Sequence, residues 1–217
     1  GQQVIFLIDN SYQSNKTMKK SMDSEYEEVQ YSVVRNQQDA IHVGHCLLYA
    51  PCNRKVFETY QLKADMLMQM RFDGSLGFWG GFIEKEETIC DGVNRELREE
   101  LNLDTSLHKI MENHHLVSFT SKDTHLFTHL FAIKVTPHDL RTIEKKCIDG
   151  NEYGAETMGV VRVPTFVMED GKGGLPQFLS NKFVGSARLQ LVTALARLEI
   201  LTTDEVAHAV EAAETLI

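Results

Sequence analysis

The 217-residue sequence has no apolar stretch long enough to cross a bilayer, for which about 20 residues are needed. Its longest early apolar run, residues 4–8, has no basic segment before it and no small-residue cleavage site after it, so no secretory signal is expected. Cysteine is scarce. Cys46, Cys52, Cys90 and Cys147 have neither CxxC spacing nor the density of a disulfide scaffold, and free thiols in a reducing compartment are expected. Positive charge is in deficit: 22 Lys and Arg stand against 31 Asp and Glu, a net charge of −9. Such a chain as a whole repels polyphosphates and nucleic acid, so binding either requires a local basic patch or a metal ion. Internal repeats and low-complexity tracts are also missing, which leaves an ordinary globular protein with length for one domain.

Residues 1–40 read as a polar extension, rich in Asn, Gln, Ser, Asp and Glu from residue 9 and without periodicity, hence loosely packed or flexible. Lys16, Lys19 and Lys20 within it read as solvated lysines rather than as an import signal. The folded domain is expected over residues 41–203, with strands near 44–49, 66–72, 126–135 and 158–163. A helix over 88–101 follows from Ile89, Val93, Leu97 and Leu101, whose four-residue steps make one apolar stripe. Thr136 with Pro137 starts another that runs to about Lys146. Two more are expected at 186–201 and, after the capping-box pattern at Thr202 and Glu205, as an appended helix at 204–217. Interspersed strands and helices place the chain in the α/β class with a mixed sheet.

The chemistry is concentrated in residues 81–103, GFIEKEETICDGVNRELREELNL. On a helix, Glu96, Glu99 and Glu100 stand as i, i+3 and i+4, so three carboxylates crowd one turn and destabilise it unless something positive sits among them. Mg²⁺ is the natural candidate, because it takes oxygen ligands and completes its shell with water and substrate phosphates. Arg95 and Glu87 are too far apart for a same-helix pair and suit a salt bridge from loop to helix. Gly80 and Gly81 allow the backbone a close approach to metal or phosphate. An Arg-Glu-rich helix is ordinarily just a solvated face. The glycines and Glu87 at fixed distances from the carboxylates argue for a site here.

The same segment resembles the box of the Nudix hydrolases, G-x5-E-x7-R-E-U-x-E-E-x-G-U with U aliphatic. Only Asn102 departs, where Gly is usual, and Asn also enters the left-handed region readily. The flanking LMQMRFDG (67–74), LGF (76–78), VRVP (161–164) and GSAR (185–188) resemble more closely the Nudix motif 16 type, which decaps U8 small nucleolar RNA. That resemblance implies an α/β/α sandwich around a mixed sheet, a homodimer, Mg²⁺ or Mn²⁺, and residence in nucleus, nucleolus and cytoplasm. It implies cap removal from RNA and hydrolysis of inosine and deoxyinosine diphosphates, so the expected partners are a purine nucleotide or capped RNA end, not DNA or membrane. His45, Arg71, Phe78 and Gln190 fall on the substrate positions; the Gly80 backbone, Glu96 and Glu100 fall on the metal positions, with Glu99 as a further ligand or general base. Phe78 would stack on a purine, Arg71 would grip phosphate, and His45 and Gln190 would bond a base edge. Trp79, in place of the usual Pro, would make the rim bulkier or add a stacking surface. His114 and His115 lie near a family metal histidine but out of register, and stay unassigned. Two other readings stand beside this one: a housekeeping nucleoside diphosphatase that never acts on RNA, and a binding adaptor like the relative syndesmos, which lacks the catalytic carboxylates.

Overall fold

The computed structural model describes residues 25–37, 39–121 and 124–217; the apolar run at 4–8 and Lys16, Lys19 and Lys20 lie outside the described residues. In chain order the elements are β1 (Tyr26–Val29), α1 (Tyr31–Val34), β2 (Ile41–Val56), β3 (Tyr60–Arg71), β4 (Leu76–Gly77), β5 (Trp79–Phe82), α2 (Ile89–Leu101), β6 (His115–Ser121), β7 (Leu126–Lys134), α3 (Pro137–Lys146), β8 (Thr157–Arg162), α4 (Leu175–Leu179), α5 (Ala187–Arg197) and α6 (Thr203–Glu214). The strands form one sheet in the order β1-β6-β7-β2-β3-β4, with β5 also on β2 and β8 on β3. β2 and β7 run parallel while β2 and β3 are antiparallel, so the sheet is mixed.

Helices cover both faces, which explains why β2 reads as a nearly continuous apolar run. Cys46, Leu48 and Ala50 point into a core with Val93, Leu97 and Leu101 of α2 and Leu140 and Ile143 of α3. Leu47 points the other way, into a core with Leu175 and Leu179 of α4, Leu191 and Leu195 of α5 and Val206 and Ala209 of α6. This is an α/β/α sandwich. α2 lies directly on β2 because position 44 is Gly: a Cβ there would come within 2.3 Å of Val93. Among the described residues no helix is long and apolar enough to cross a membrane, and all four cysteines are free thiols.

The described part of the expected extension joins the fold. β1 pairs antiparallel with β6, from Tyr26 opposite Ser121 to Val29 opposite Ser118. Tyr31 stacks on His115 with ring centroids 4.1 Å apart, and Arg35 bonds Glu112 at 2.8 Å. Polar composition hides this strand because at the sheet edge both Glu27 and Glu28 stay exposed, although they face opposite sides. At the other end α6 is integral: Thr202 and Glu205 make a capping box, Glu205 pairs with Lys63 at 2.7 Å, and Val206, Ala209 and Ala213 enter the core.

Candidate active site

α2 starts at Thr88, whose hydroxyl accepts the Asp91 N–H, and its last turn carries the carboxylates. Glu100 is only 1% exposed. Its Oε2 accepts from the Gly80 N–H at 2.7 Å and its Oε1 from Gln69 Nε2 at 3.3 Å. Burial nevertheless pushes the Glu100 carboxyl up to about 8, since desolvation outweighs those two bonds. Burial raises Glu96 as well. Arg95 threads the cluster: Nε meets Glu87 Oε1 at 2.8 Å, Nη1 meets Glu96 at 2.7 Å and Glu99 at 3.2 Å, and Nη2 reaches the Phe82 carbonyl. The Arg95 guanidinium holds Glu87 below the usual carboxylate range.

Two acidic residues that the sequence reading missed join from the loop before β8. Glu152 and Glu156 each bring a carboxylate oxygen within 4.8 Å of one on Glu100 and of each other. Burial raises Glu152, and Glu156, Glu96 and Glu99 raise it further. One guanidinium among six carboxylates, Glu87 included, leaves the cluster short of positive charge. Hard oxygen donors crowded this way, one of them buried, fit a divalent cation.

Gly80 and Gly81 form the floor between this cluster and a second group of side chains. Gly80 has φ +130°, and a Cβ there would stand 2.0 Å from the Gly44 carbonyl oxygen. A Cβ on Gly81 would stand 2.8 Å from Glu96 Oε1. Opposite Gly80 on β2 is His45, whose Nδ1 is 3.0 Å from Gln190 Oε1 of α5. An amide oxygen only accepts, so Nδ1 carries the proton. Burial holds His45 down to about 4, so it stays neutral with Nε2 as an acceptor. The Gln190 Nε2 and Arg71 Nε atoms are buried and have no hydrogen-bond partner among the described residues. Such orphan donors cost about 1–3 kcal/mol each, a cost that acceptors on a ligand would remove.

The structure thus brings Gly80, Gly81, Glu87, Arg95, Glu96, Glu99 and Glu100 together, and joins His45 to Gln190, but it moves two aromatics away. Phe78 is 1% exposed and packs in the α5-side core beside Met68 and Leu76, beneath the site instead of open for stacking. Trp79 is fully buried in the α2-side core, so it neither widens the rim nor offers a stacking surface. The reason is the same for both: neighbouring residues of an extended segment face opposite sides, here at the junction of β4 and β5, and both sides are covered. His115 stacks under Tyr31 and bonds Ser118 at 2.8 Å, while His114 Nδ1 accepts the Met111 N–H; neither reaches the carboxylates through these contacts.

Comparison with known proteins agrees with this geometry. The chain matches the family described as Nudt16-like, U8 snoRNA-decapping enzyme-like, over residues 42–201. It is similar to the U8 snoRNA-decapping enzyme of Mus musculus, at 42% identity over 161 residues that make up 74% of this chain and 83% of that protein. It is also similar to the U8 snoRNA-decapping enzyme of Xenopus laevis, at 34% over 177 residues, 81% of this chain and 84% of that protein. The Tudor-interacting repair regulator protein of Gallus gallus is 38% identical over 186 residues, 85% of this chain and 58% of that protein.

Proposed function

This chain belongs to the Nudt16-like, U8 snoRNA-decapping enzyme-like family of Nudix hydrolases, and from that premise we propose that it cleaves the diphosphate linkage of 6-oxopurine nucleotides: the capped end of an RNA such as a small nucleolar RNA, and inosine and deoxyinosine diphosphates. The observation that carries the reading is the placement of a base-edge pair and a carboxylate cluster on one glycine floor, with His45 opposite Gly80 and Glu100 bonded to the Gly80 N–H. Neutral His45 offers an acceptor and Gln190 a free donor, which match the N1–H and O6 of hypoxanthine or guanine; adenine presents the reverse pattern. Arg71 supplies the cation for phosphate.

Glu96, Glu99, Glu100, Glu152 and Glu156, with the Gly80 backbone, would hold Mg²⁺ or Mn²⁺. When bound, such an ion neutralises phosphate charge and lowers the pKa of a water ligand. Glu99, less buried than Glu100, would take the proton from the attacking water. Arg95 orients the Glu96 and Glu99 carboxylates and ties the helix to Glu87. We further propose a homodimer that works in the nucleus and nucleolus as well as the cytoplasm; similarity to snoRNA-decapping enzymes supports the nuclear part of this reading.

The test is turnover of capped RNA, inosine diphosphate and adenosine diphosphate with Mg²⁺ or Mn²⁺ by the wild type and by Glu99→Gln and Glu100→Gln. We expect cleavage of the first two substrates and a loss of at least about a hundredfold in each variant. A wild type inert on the whole panel, or undiminished variants, would overturn the hydrolase reading and favour an adaptor role, to which similarity to the Tudor-interacting repair regulator points. Cleavage of inosine diphosphate without capped RNA would restrict the protein to free nucleotides.

A further inference from the structure

We propose that Gln69 and Thr157 are positioning residues that fix the Glu100 carboxylate for its divalent cation, an assignment that rests on the metal-dependent reading above. The Thr157 hydroxyl donates to Gln69 Oε1 at 2.6 Å. Gln69 Nε2 in turn donates to the Phe78 carbonyl at 3.2 Å and to Glu100 Oε1 at 3.3 Å. Gln69 and Thr157 are fully buried and Glu100 nearly so, so none of these bonds has water as a substitute.

The direction of the chain is forced. A carbonyl oxygen only accepts, so the group facing Phe78 must be the NH₂ of the amide, and the oxygen must face Thr157. With both ends of the amide committed, its second N–H has one orientation, toward Glu100. Glu100 Oε2 is tied separately to the Gly80 N–H. The carboxylate plane is therefore fixed at both oxygens, and their remaining lone pairs open toward Glu152 and Glu156.

The backbone is irregular where Thr157 enters. Val160 lies opposite Gln69 and packs in the α2-side core, and strict alternation from Val160 would send Thr157 to the other face. The β3–β8 register shifts between Met70 and Arg71, so that Gly159 opposes Met70 and Thr157 opposes Arg71. The extra residue, Met158, is 53% exposed. This bulge returns Thr157 to the face of Gln69 and brings the loop with Glu152 and Glu156 alongside Glu100. One irregularity thus delivers both the hydroxyl behind the carboxylate and the acidic groups in front of it.

The experiment is calorimetric titration of Mn²⁺ into the substrate-free protein, for wild type, Thr157→Val and Thr157→Ser, with thermal unfolding of each as the check on folding. Thr157→Val keeps the shape, removes the hydroxyl and leaves the amide oxygen without its donor, so that Gln69 is held at one end only; we expect Mn²⁺ to bind about 10- to 100-fold more weakly. Thr157→Ser restores the hydroxyl and is expected to return binding to within about twofold of wild type. Should Thr157→Val not fold, Gln69→Leu takes its place with the same two outcomes. Wild-type affinity in the folded Val or Leu variant overturns the assignment alone. A wild type that binds no Mn²⁺ overturns it together with the metal-dependent reading.

Discussion

Gly80 answers three demands at one residue: a φ of +130°, a backbone so near Gly44 that a Cβ would stand 2.0 Å from its carbonyl oxygen, and an N–H aimed at Glu100. Gly80→Ala should therefore destabilise the protein by more than about 3 kcal/mol and remove turnover, as read by denaturant titration and inosine diphosphate cleavage. A stable, active Gly80→Ala protein would contradict this geometry. The Gln190 amide is expected to decide the base. Gln190→Leu should narrow the preference for inosine over adenosine diphosphate by about tenfold, the worth of one hydrogen bond near 1.4 kcal/mol, in competing-substrate assays. An unchanged ratio would move base selection elsewhere. The carboxylates of α2 were legible because helical spacing alone brings them together. Glu152 and Glu156 were not, because their approach depends on a bulge in the pairing of β8 with β3. Phe78 and Trp79 misled for a different reason: the resemblance assigned them by their place in a motif, which says nothing of burial, whereas β5 and its neighbours lie between two cores.

Among the elements, α2 shows how much local code can carry. Its apolar stripe, its Thr88 cap and its end at Asn102 are all local signals, and its span of Ile89–Leu101 follows from them. Asn102 adopts φ 51° and ψ 37°, the left-handed conformation that Gly, the usual residue at this place in the box, enters most readily. The substitution thus preserves the shape of the helix end. Asn102→Gly should be neutral or slightly stabilising, whereas Asn102→Ala should cost about 1 kcal/mol, since a β-carbon without a short polar side chain tolerates this region poorly. Urea midpoints of the two variants test this, and an Ala variant as stable as Gly would refute it. α3 runs from Pro137 to Lys146 as its capping signals require, and β7 and β8 lie within a residue of their expected bounds. β1 carried no such code. Four residues with two glutamates show no period, and only the open edge of β6 makes them a strand.

Across the molecule as a whole, a line of imidazoles links three strands beneath the N-terminal segment. His42 Nδ1 of β2 meets His129 Nε2 of β7 at 2.9 Å, His129 Nδ1 meets Ser118 Oγ of β6 at 2.7 Å, and Ser118 meets His115 at 2.8 Å. Tyr31 covers His115, and its hydroxyl bonds Glu112 at 3.1 Å, so the line also anchors α1. Burial drives His129 down to about 3 and His115 down to about 4, with the neighbouring histidines adding to the effect at His129. Both stay neutral in the fold while the unfolded chain takes up protons near 6.5. The unfolded state then binds more protons, so stability is full above pH 6.5 and falls as pH drops toward the folded values. For His129, which is fully buried, this loss reaches about 2 kcal/mol at pH 5, or about 4–8 °C in melting temperature for a chain of this size. Melting curves at pH 7, 6 and 5 should fall accordingly in the wild type and fall less steeply in His129→Gln, whose lower starting stability does not alter the sign of the comparison. Equal slopes in the two proteins would mean that the imidazole line does not set the acid response of the fold.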